Sequence, residues 1–310
     1  VQEALKNHQP SADILRQHYN LEAQERLSNY VLQLMGFNFS RGRMDKTVHP
    51  FCASLGPNDI RITTRYTEDY FADGIFSAIH EAGHALYNQG VDPELYVMPM
   101  GELNSMGLHE SQSRFWEVWV ARSLNFWQYL WPKMKEFFPD TQLGSPEKMF
   151  GAVNRVERSL IRVDADPVTY NLHILLRYEI ERLLLAGTIK VADLPAVWNG
   201  KMKEYLDLEV PNDAQGVLQD VHWSEGLFGY FPTYTLGNLA AAELWTKVAE
   251  TFSLDAGGEE ELRSMREWLR NSIHKYGGRL KFLDVASLDV NKFIQALKNR
   301  MDMVSMVYGT

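Results

Sequence analysis

A mainly α-helical protein with one small β-sheet is what this sequence predicts, on three observations. Nine stretches carry apolar residues at helical spacing between recognisable start and stop residues. A single stretch, "DIRITTRY" (59–66), alternates and is rich in β-branched residues. No repeat, low-complexity tract or Pro/Ser-rich linker divides the 310 residues, so residues 1–310 read as one helical unit. With 45% hydrophobic and 23% charged residues, the chain has the profile of a globular protein with a sizeable core.

The elements follow in order. "SADILRQHYNLEAQERLSNYVLQLMG" begins at the start signal Ser11 and stops at Gly36. The strand 59–66 comes next, with a weak partner candidate in "LYVMPM" (95–100), and stands directly before a helix over 69–90. Residues 107–134 are aromatic-rich, which predicts a helix buried on more than one side. Ser145, Pro146 and Glu147 form an N-cap, N1 and first-turn series for a helix over 145–163. Pro167 and Gly187 bracket another. Helices over roughly 193–208, 237–252, 258–277 and 287–308 complete the chain, the last two amphipathic enough to serve as core or dimer surface.

Charge and cysteine usage exclude several functions. A net charge of -9 leaves no basic footprint for nucleic acid. One cysteine, Cys52, rules out an intramolecular disulfide framework and fits a reducing, cytoplasmic setting. No apolar run is long enough to cross a bilayer, so no membrane partner is expected. The chain opens on Val1 rather than methionine, which points to a processing boundary or a piece of a longer protein.

The chemistry concentrates in "FSAIHEAGHALYNQG" (76–90). His80 and His84 are four residues apart, so on a helix their imidazoles share one face and reach one tetrahedral ion. Glu81 stands beside them, placed to take a proton from water. Two satisfied core histidines are the plainer alternative. Gly83 costs the helix roughly 1 kcal/mol against alanine, and so small a residue lets another segment approach closely. A catalytic site needs a third ligand, and positions 87 and 90 are Tyr87 and Gly90, not histidine. Glu110, at the start of the 107–134 helix, is the choice over Glu94 and Glu102, which sit in loop-like sequence. Two imidazoles and a carboxylate suit Zn²⁺, and also Co²⁺ or Mn²⁺.

"HPF" (49–51), "DIRIT" (59–63), "HEAGH" (80–84), "HESQ" (109–112), "IRVDAD" (161–166) and "GVLQDVHW" (216–223) occur in that order. Together they resemble the signature set of the thermostable, Taq-type metallocarboxypeptidases, as does "SEGLFGYFPTYTLGNLAAAELW" after them. The resemblance implies that His80, His84 and Glu110 bind the metal with Glu81 as general base. It implies a mostly helical fold with a deep groove and a small sheet on its floor, peptide substrates with a free C-terminus, and a homodimer. Family members are usually longer. The matching region looks like the C-terminal three-fifths, without an N-terminal helical segment that helps form one wall and the lid of the groove.

Within that frame, His222, Tyr230 and Tyr234 are the candidate oxyanion donors. Arg162, then Arg61, are the candidates for the substrate carboxylate, because a planar guanidinium pairs with it bidentately. Structural ion pairs with Asp164, Asp166 or Asp59 are the alternative for both. Gln219 and Asp220 read as residues that orient their neighbours, His109 as a neighbour of the ligand set, and His49 and His173 as structural histidines. Besides a carboxypeptidase, the same site would serve an oligopeptidase or dipeptidase, or a peptide-binding protein that retains metal without turnover.

Overall fold

A computed structural model describes residues 1, 4–5, 9–102, 105–252 and 258–308. Its helices dominate, and its strands form one three-stranded sheet. The chain packs into two compact units, each made of two stretches of sequence: Pro10–Val153 with Gly237–Thr310, and Val1–Gln9 with Asn154–Leu236.

The larger unit starts with helix α1 (Leu21–Met35), which the Asn20 side chain caps by accepting from Ala23 N–H and which Gly36 ends in the left-handed region at φ 90°. Strands β1 (Gly42–Lys46), β2 (Cys52–Gly56) and β3 (Asp59–Thr64) form the sheet in the order β1-β3-β2, with β1 parallel and β2 antiparallel to β3. Ile60 and Ile62 of β3 are fully buried, whereas Arg61 between them points to solvent.

Helix α2 (Phe71–Gly90) follows and is buried over most of its length, as expected for a helix that is apolar nearly all round. Two bonds fix its start. The Thr64 hydroxyl at the end of β3 donates to Gly74 O, and Asp73, in the first turn, takes a bidentate pair from Arg65 at 2.8 and 2.9 Å.

Helix α3 (Met106–Arg114) is capped by Ser105 and runs into a π-helical stretch, Phe115–Val120, in which Ala121 N–H reaches back five residues to Trp116 O. Ser123 then caps a separate helix, α4 (Leu124–Phe137). Helix α5 (Pro146–Val153) closes this stretch of the larger unit. Its core gathers rings from α2, the π stretch and α4, among them Phe71, Phe115, Trp116, Phe126 and Trp127.

In the smaller unit, α6 (Tyr170–Leu185) packs on α7 (Leu194–Leu206) through Leu176, Ile180, Trp198, Met202 and Leu206. Helix α8 (Pro232–Thr251) has its first turn counted with the smaller unit and the rest with the larger. Helices α9 (Glu259–Ser272) and α10 (Val290–Tyr308) belong to the larger unit.

Several expectations are corrected. The 95–100 segment is not a strand: Pro93–Tyr96 is a helical turn and Pro99–Gly101 a 3₁₀ turn. The partners of β3 are "GRMDK" and "CASLG", which lack β-branched alternation and depend on β3 for their pairing. The helix expected over 107–134 is interrupted at 121–123, where the π stretch ends and Ser123 restarts the chain. The 145–163 helix ends at Val153, and beyond it Val156 N–H donates to the Gln9 side chain instead of to a helical carbonyl. The helix read from Ser11 begins at Leu21; Ser11 instead accepts from Asp13 N–H ahead of a short 3₁₀ turn. Helix α8 starts five residues before the expected 237, on Pro232 at its first position.

His274, packed against Gly90, and His173 on α6 are buried. His274 Nε2 lies 2.8 Å from Gln112 Oε1. Burial, with Arg270 nearby, lowers His274 to about 3, and burial with Arg177 and Arg162 lowers His173 to about 3, against an ordinary 6.5. The unfolded chain therefore takes up protons that the folded chain refuses. The stability these two rings contribute is complete above about 6.5 and is lost as pH falls towards about 3. The urea midpoint should fall between pH 7 and pH 4, and His274→Gln should flatten that fall; an unchanged slope in the variant would count against this account.

Candidate metal centre

Helix α2 places His80 and His84 one turn apart, with ring centroids 5.0 Å apart at an interplanar angle of 80°. Both Nε2 atoms converge on one oxygen: Glu110 Oε2 on α3 lies 3.7 Å from His80 Nε2 and 3.4 Å from His84 Nε2. The donor atoms of these three residues all lie within 4.8 Å of one another, the one such group of three or more among the described residues. The choice of Glu110 over its rivals matches this geometry, since Glu94 and Glu102 are exposed and outside the group.

The approach of α3 to α2 depends on Gly83. A Cβ there would stand 2.5 Å from Ser113 Cα and 2.7 Å from Gln112 O, both backbone atoms. Gly237 of α8 gives room to Glu110 itself, because a Cβ there would stand 2.5 Å from Glu110 Cγ.

Behind His80 stands a carboxylate that sequence reasoning missed. His80 Nδ1 lies 2.9 Å from Glu117 Oε2, so Nδ1–H donates there and Nε2 is the nitrogen that faces Glu110. Arg114 Nη1 donates to the same Glu117 oxygen at 2.7 Å, Arg122 Nη2 lies 3.6 Å from the other, and Arg114 Nε donates to Asn238 Oδ1 on α8. A signal was present: Glu110, Arg114 and Glu117 recur at i, i+4 and i+7, a charged stripe inside an aromatic-rich helix. His84 has no such partner on Nδ1; its ring is held instead by His109, stacked at 4.3 Å with its Nε2 3.3 Å from Asn88 Oδ1.

The electrostatics favour a cation. Burial alone would lower His80, but Glu110, Glu117 and Glu81 outweigh it and raise the imidazole to about 9. Burial would raise Glu110, yet His80, His84 and Arg114 hold it below the ordinary carboxylate range. Glu117 is held far lower, by Arg114, His80 and Arg122 against burial. Glu81 goes the other way: burial raises it, with the two histidines opposing. Two nitrogens and one oxygen facing a common point in a field that draws a proton onto His80 are the donor set a divalent metal needs.

The remaining candidates have partners of their own. Arg61 is exposed on the sheet and takes Asp59 as a bidentate partner at 2.8 and 2.9 Å, the structural pair weighed as its alternative. Arg162 is in the smaller unit and pairs with Asp220 rather than with Asp164 or Asp166. His222 Nε2 lies 3.0 Å from Tyr234 OH, and the Tyr230 ring packs on His222 at 5.1 Å. His49 is exposed.

The chain matches the family model described as carboxypeptidase Taq (M32) metallopeptidase over residues 1–301. It belongs to that family. Thermostable carboxypeptidase 1 of Thermus thermophilus is 47% identical over 274 residues, which cover 88% of this M32 chain and 54% of that protein. Carboxypeptidase 1 of Bacillus subtilis is 41% identical over 303 residues, covering 94% and 60%. The crystal structure of an M32 carboxypeptidase from Deinococcus radiodurans R1 superposes with a TM-score of 0.91 at 37% identity, covering 100% of this chain and 64% of that one. The chain therefore spans between about half and three-fifths of the length of these curated relatives. As a member of a metallopeptidase family it has a divalent metal implied, and the donors of His80, His84 and Glu110 fit one.

Two substitutions separate fit from support. Gly83→Ala drives a methyl into the α3 backbone and should cost about 1–3 kcal/mol of stability, read from urea midpoints, while weakening metal binding. Glu117→Gln keeps the size of the side chain but removes the charge behind His80. It should lower metal affinity by about 10- to 100-fold in a chelator competition. Unaltered affinity would show that Glu117 only neutralises the arginines.

Proposed function

We propose that this chain carries out metal-dependent hydrolysis of peptides at their free C-terminus, with His80, His84 and Glu110 as the metal ligands. The observation that carries the reading is the convergence of both imidazole Nε2 atoms on Glu110 Oε2 beside a buried Glu81, in a chain of the M32 family. Zn²⁺ suits the donors best, with Co²⁺ or Mn²⁺ as substitutes. A divalent cation held there supplies a Lewis acid that polarises a carbonyl and makes water more acidic.

Glu81 supplies the base. Its burial moves the carboxyl upward, closer to neutrality, which suits a group that accepts a proton from water and returns it to the leaving amine. His222 and Tyr234 form one hydrogen-bonded pair with Tyr230 packed against it, and this pair is the proposed donor to the oxyanion. His222 is lowered to about 4 by burial and by Arg162 and Arg177, so it acts as a neutral hydrogen-bond donor. Arg162 is the proposed partner of the substrate carboxylate, as one of two guanidiniums sharing a single aspartate. Arg61, already paired on the exposed face of the sheet, is the weaker candidate.

The rest of the reading is coarser. Residues 1–310 are taken as one catalytic domain, since the chain passes back and forth between the two units. A cytoplasmic setting is supported by the single cysteine. The homodimer is carried by the family resemblance alone. No helix among the described residues is long and apolar enough to cross a membrane.

The test uses one short peptide as its free acid and as its C-terminal amide. The free acid should be cleaved at least about tenfold better, and equal cleavage would replace the carboxypeptidase with an oligopeptidase using the same site. Glu81→Gln should keep its metal and lose about 10²- to 10⁴-fold in kcat; a metal-loaded wild type no faster than this variant would make the protein a peptide binder.

A further inference from the structure

The carboxylate Asp220 is shared. Its Oδ1 accepts from Arg162 Nε and Nη2 at 3.0 and 2.8 Å, and its Oδ2 accepts from Arg177 Nε at 2.7 Å. Gln219, the preceding residue, ties the same two arginines together. Its Oε1 accepts from Arg177 Nη2 and from the Arg162 backbone N–H, both at 2.8 Å, while its Nε2 donates to Leu160 O. Among the described residues, Asp220 is the one carboxylate within 4.0 Å of either guanidinium.

Charge is therefore out of balance in a buried place. Arg177 is lowered by burial only to about 10 and stays charged at neutral pH, and the two arginines hold Asp220 down to about 2 against its burial. The nearby imidazoles do not add charge: His173 is lowered to about 3 and His222 to about 4, burial being the largest cause for both. Two guanidiniums against one carboxylate leave one positive charge, and an uncompensated buried charge is costly unless something pairs with it.

The two arginines differ in what they have left to offer. Arg177 is fully buried: its Nε, Nη1 and Nη2 donate to Asp220, the His173 carbonyl and Gln219, its Nη2 also lies 2.6 Å from Asp220 Oδ2, and no N–H of it reaches the surface. Arg162 keeps a trace of exposure. Of its five N–H donors, three are used, by Asp220 and by the Tyr170 hydroxyl at 2.8 Å, so one remains on each Nη. The Tyr234 ring lies 4.8 Å beneath its guanidinium carbon, and His222 Nδ1 is buried without a hydrogen-bond partner.

We infer that Arg177 is a positioning residue that supplies the uncompensated charge of a carboxylate site presented through Arg162: by holding Asp220 from behind, it stops that aspartate from neutralising Arg162. The inference rests on the proposed role of Arg162 towards the substrate C-terminus. Its particular claim is that Arg177, which touches no substrate, decides how strongly a free carboxylate is preferred. With Arg177 removed, Asp220 and Arg162 form a neutral pair and the attraction for an anion disappears.

The experiment measures kcat/KM for one short peptide as free acid and as amide, with metal content and unfolding midpoint recorded for each variant. Wild type must prefer the acid; if it does not, the carboxypeptidase reading fails and the role of Arg177 with it. Given that preference, Arg177→Gln should reduce it about tenfold or more, mainly through KM for the acid. Arg177→Lys, which keeps the charge, should retain most of it. The double variant Arg177→Gln/Asp220→Asn returns the net positive charge and should recover at least part of the loss. The inference is overturned if Arg177→Gln keeps the wild-type preference, or if the double variant is no better than Arg177→Gln. Should Arg177→Gln fail to fold, Asp220→Asn decides: it frees Arg162 of its neutralising partner and should preserve or raise the acid preference, and an abolished preference overturns the inference.

Discussion

The backbone of α3 at Ser113 lies where a side chain at position 83 would have to be. Everything in the metal centre follows from that approach. His80 and His84 are fixed on α2 by their spacing, but Glu110 comes from another helix, and only a close crossing brings its carboxylate to both imidazoles. The same crossing brings Glu117 behind His80. Gly237 repeats the device from α8, whose neighbouring Asn238 holds Arg114. Three helices therefore meet around one carboxylate at distances that any side chain larger than hydrogen would forbid.

Buried charge here is handled by sharing. Glu117 serves His80 and Arg114 through one oxygen and Arg122 through the other, so it orients His80 while it pairs with two arginines. Asp220 does the same between Arg162 and Arg177. Sharing lets one desolvated carboxylate satisfy several donors, which is the condition under which buried ion pairs are tolerated. It also makes each cluster rigid, because no member moves without unpairing another.

How much of this is legible in the sequence depends on the range of the interaction. His80, Glu81 and His84 are readable because helical spacing is local. Glu110 is readable from the need for a third ligand on a packed helix, and β3 from its own alternation. The strands on either side of β3 are not, since "GRMDK" and "CASLG" become strands only through a partner elsewhere in the chain. Arg162 is legible as an arginine that binds a carboxylate of the chain or of a substrate, but the partner that sequence suggests is a near neighbour. The observed one, Asp220, is 58 residues away. Gly237 shows the limit: a glycine in a helix carries no sign of what approaches it.

The two clusters carry opposite excess charge, and this bears on what each can hold. Around His80, three carboxylates (Glu81, Glu110 and Glu117) stand against Arg114 and Arg122, an excess of negative charge that raises the imidazole to about 9. Around Asp220, two guanidiniums stand against one carboxylate, leaving one positive charge. The first imbalance is met by a cation and the second by an anion. In each case the excess is created by residues that need not touch the ligand at all: Glu117 behind a histidine, and Arg177 behind an aspartate. On the proposed reading, specificity is set one layer behind the groups that meet the substrate, where burial makes each charge count for more than it would in water.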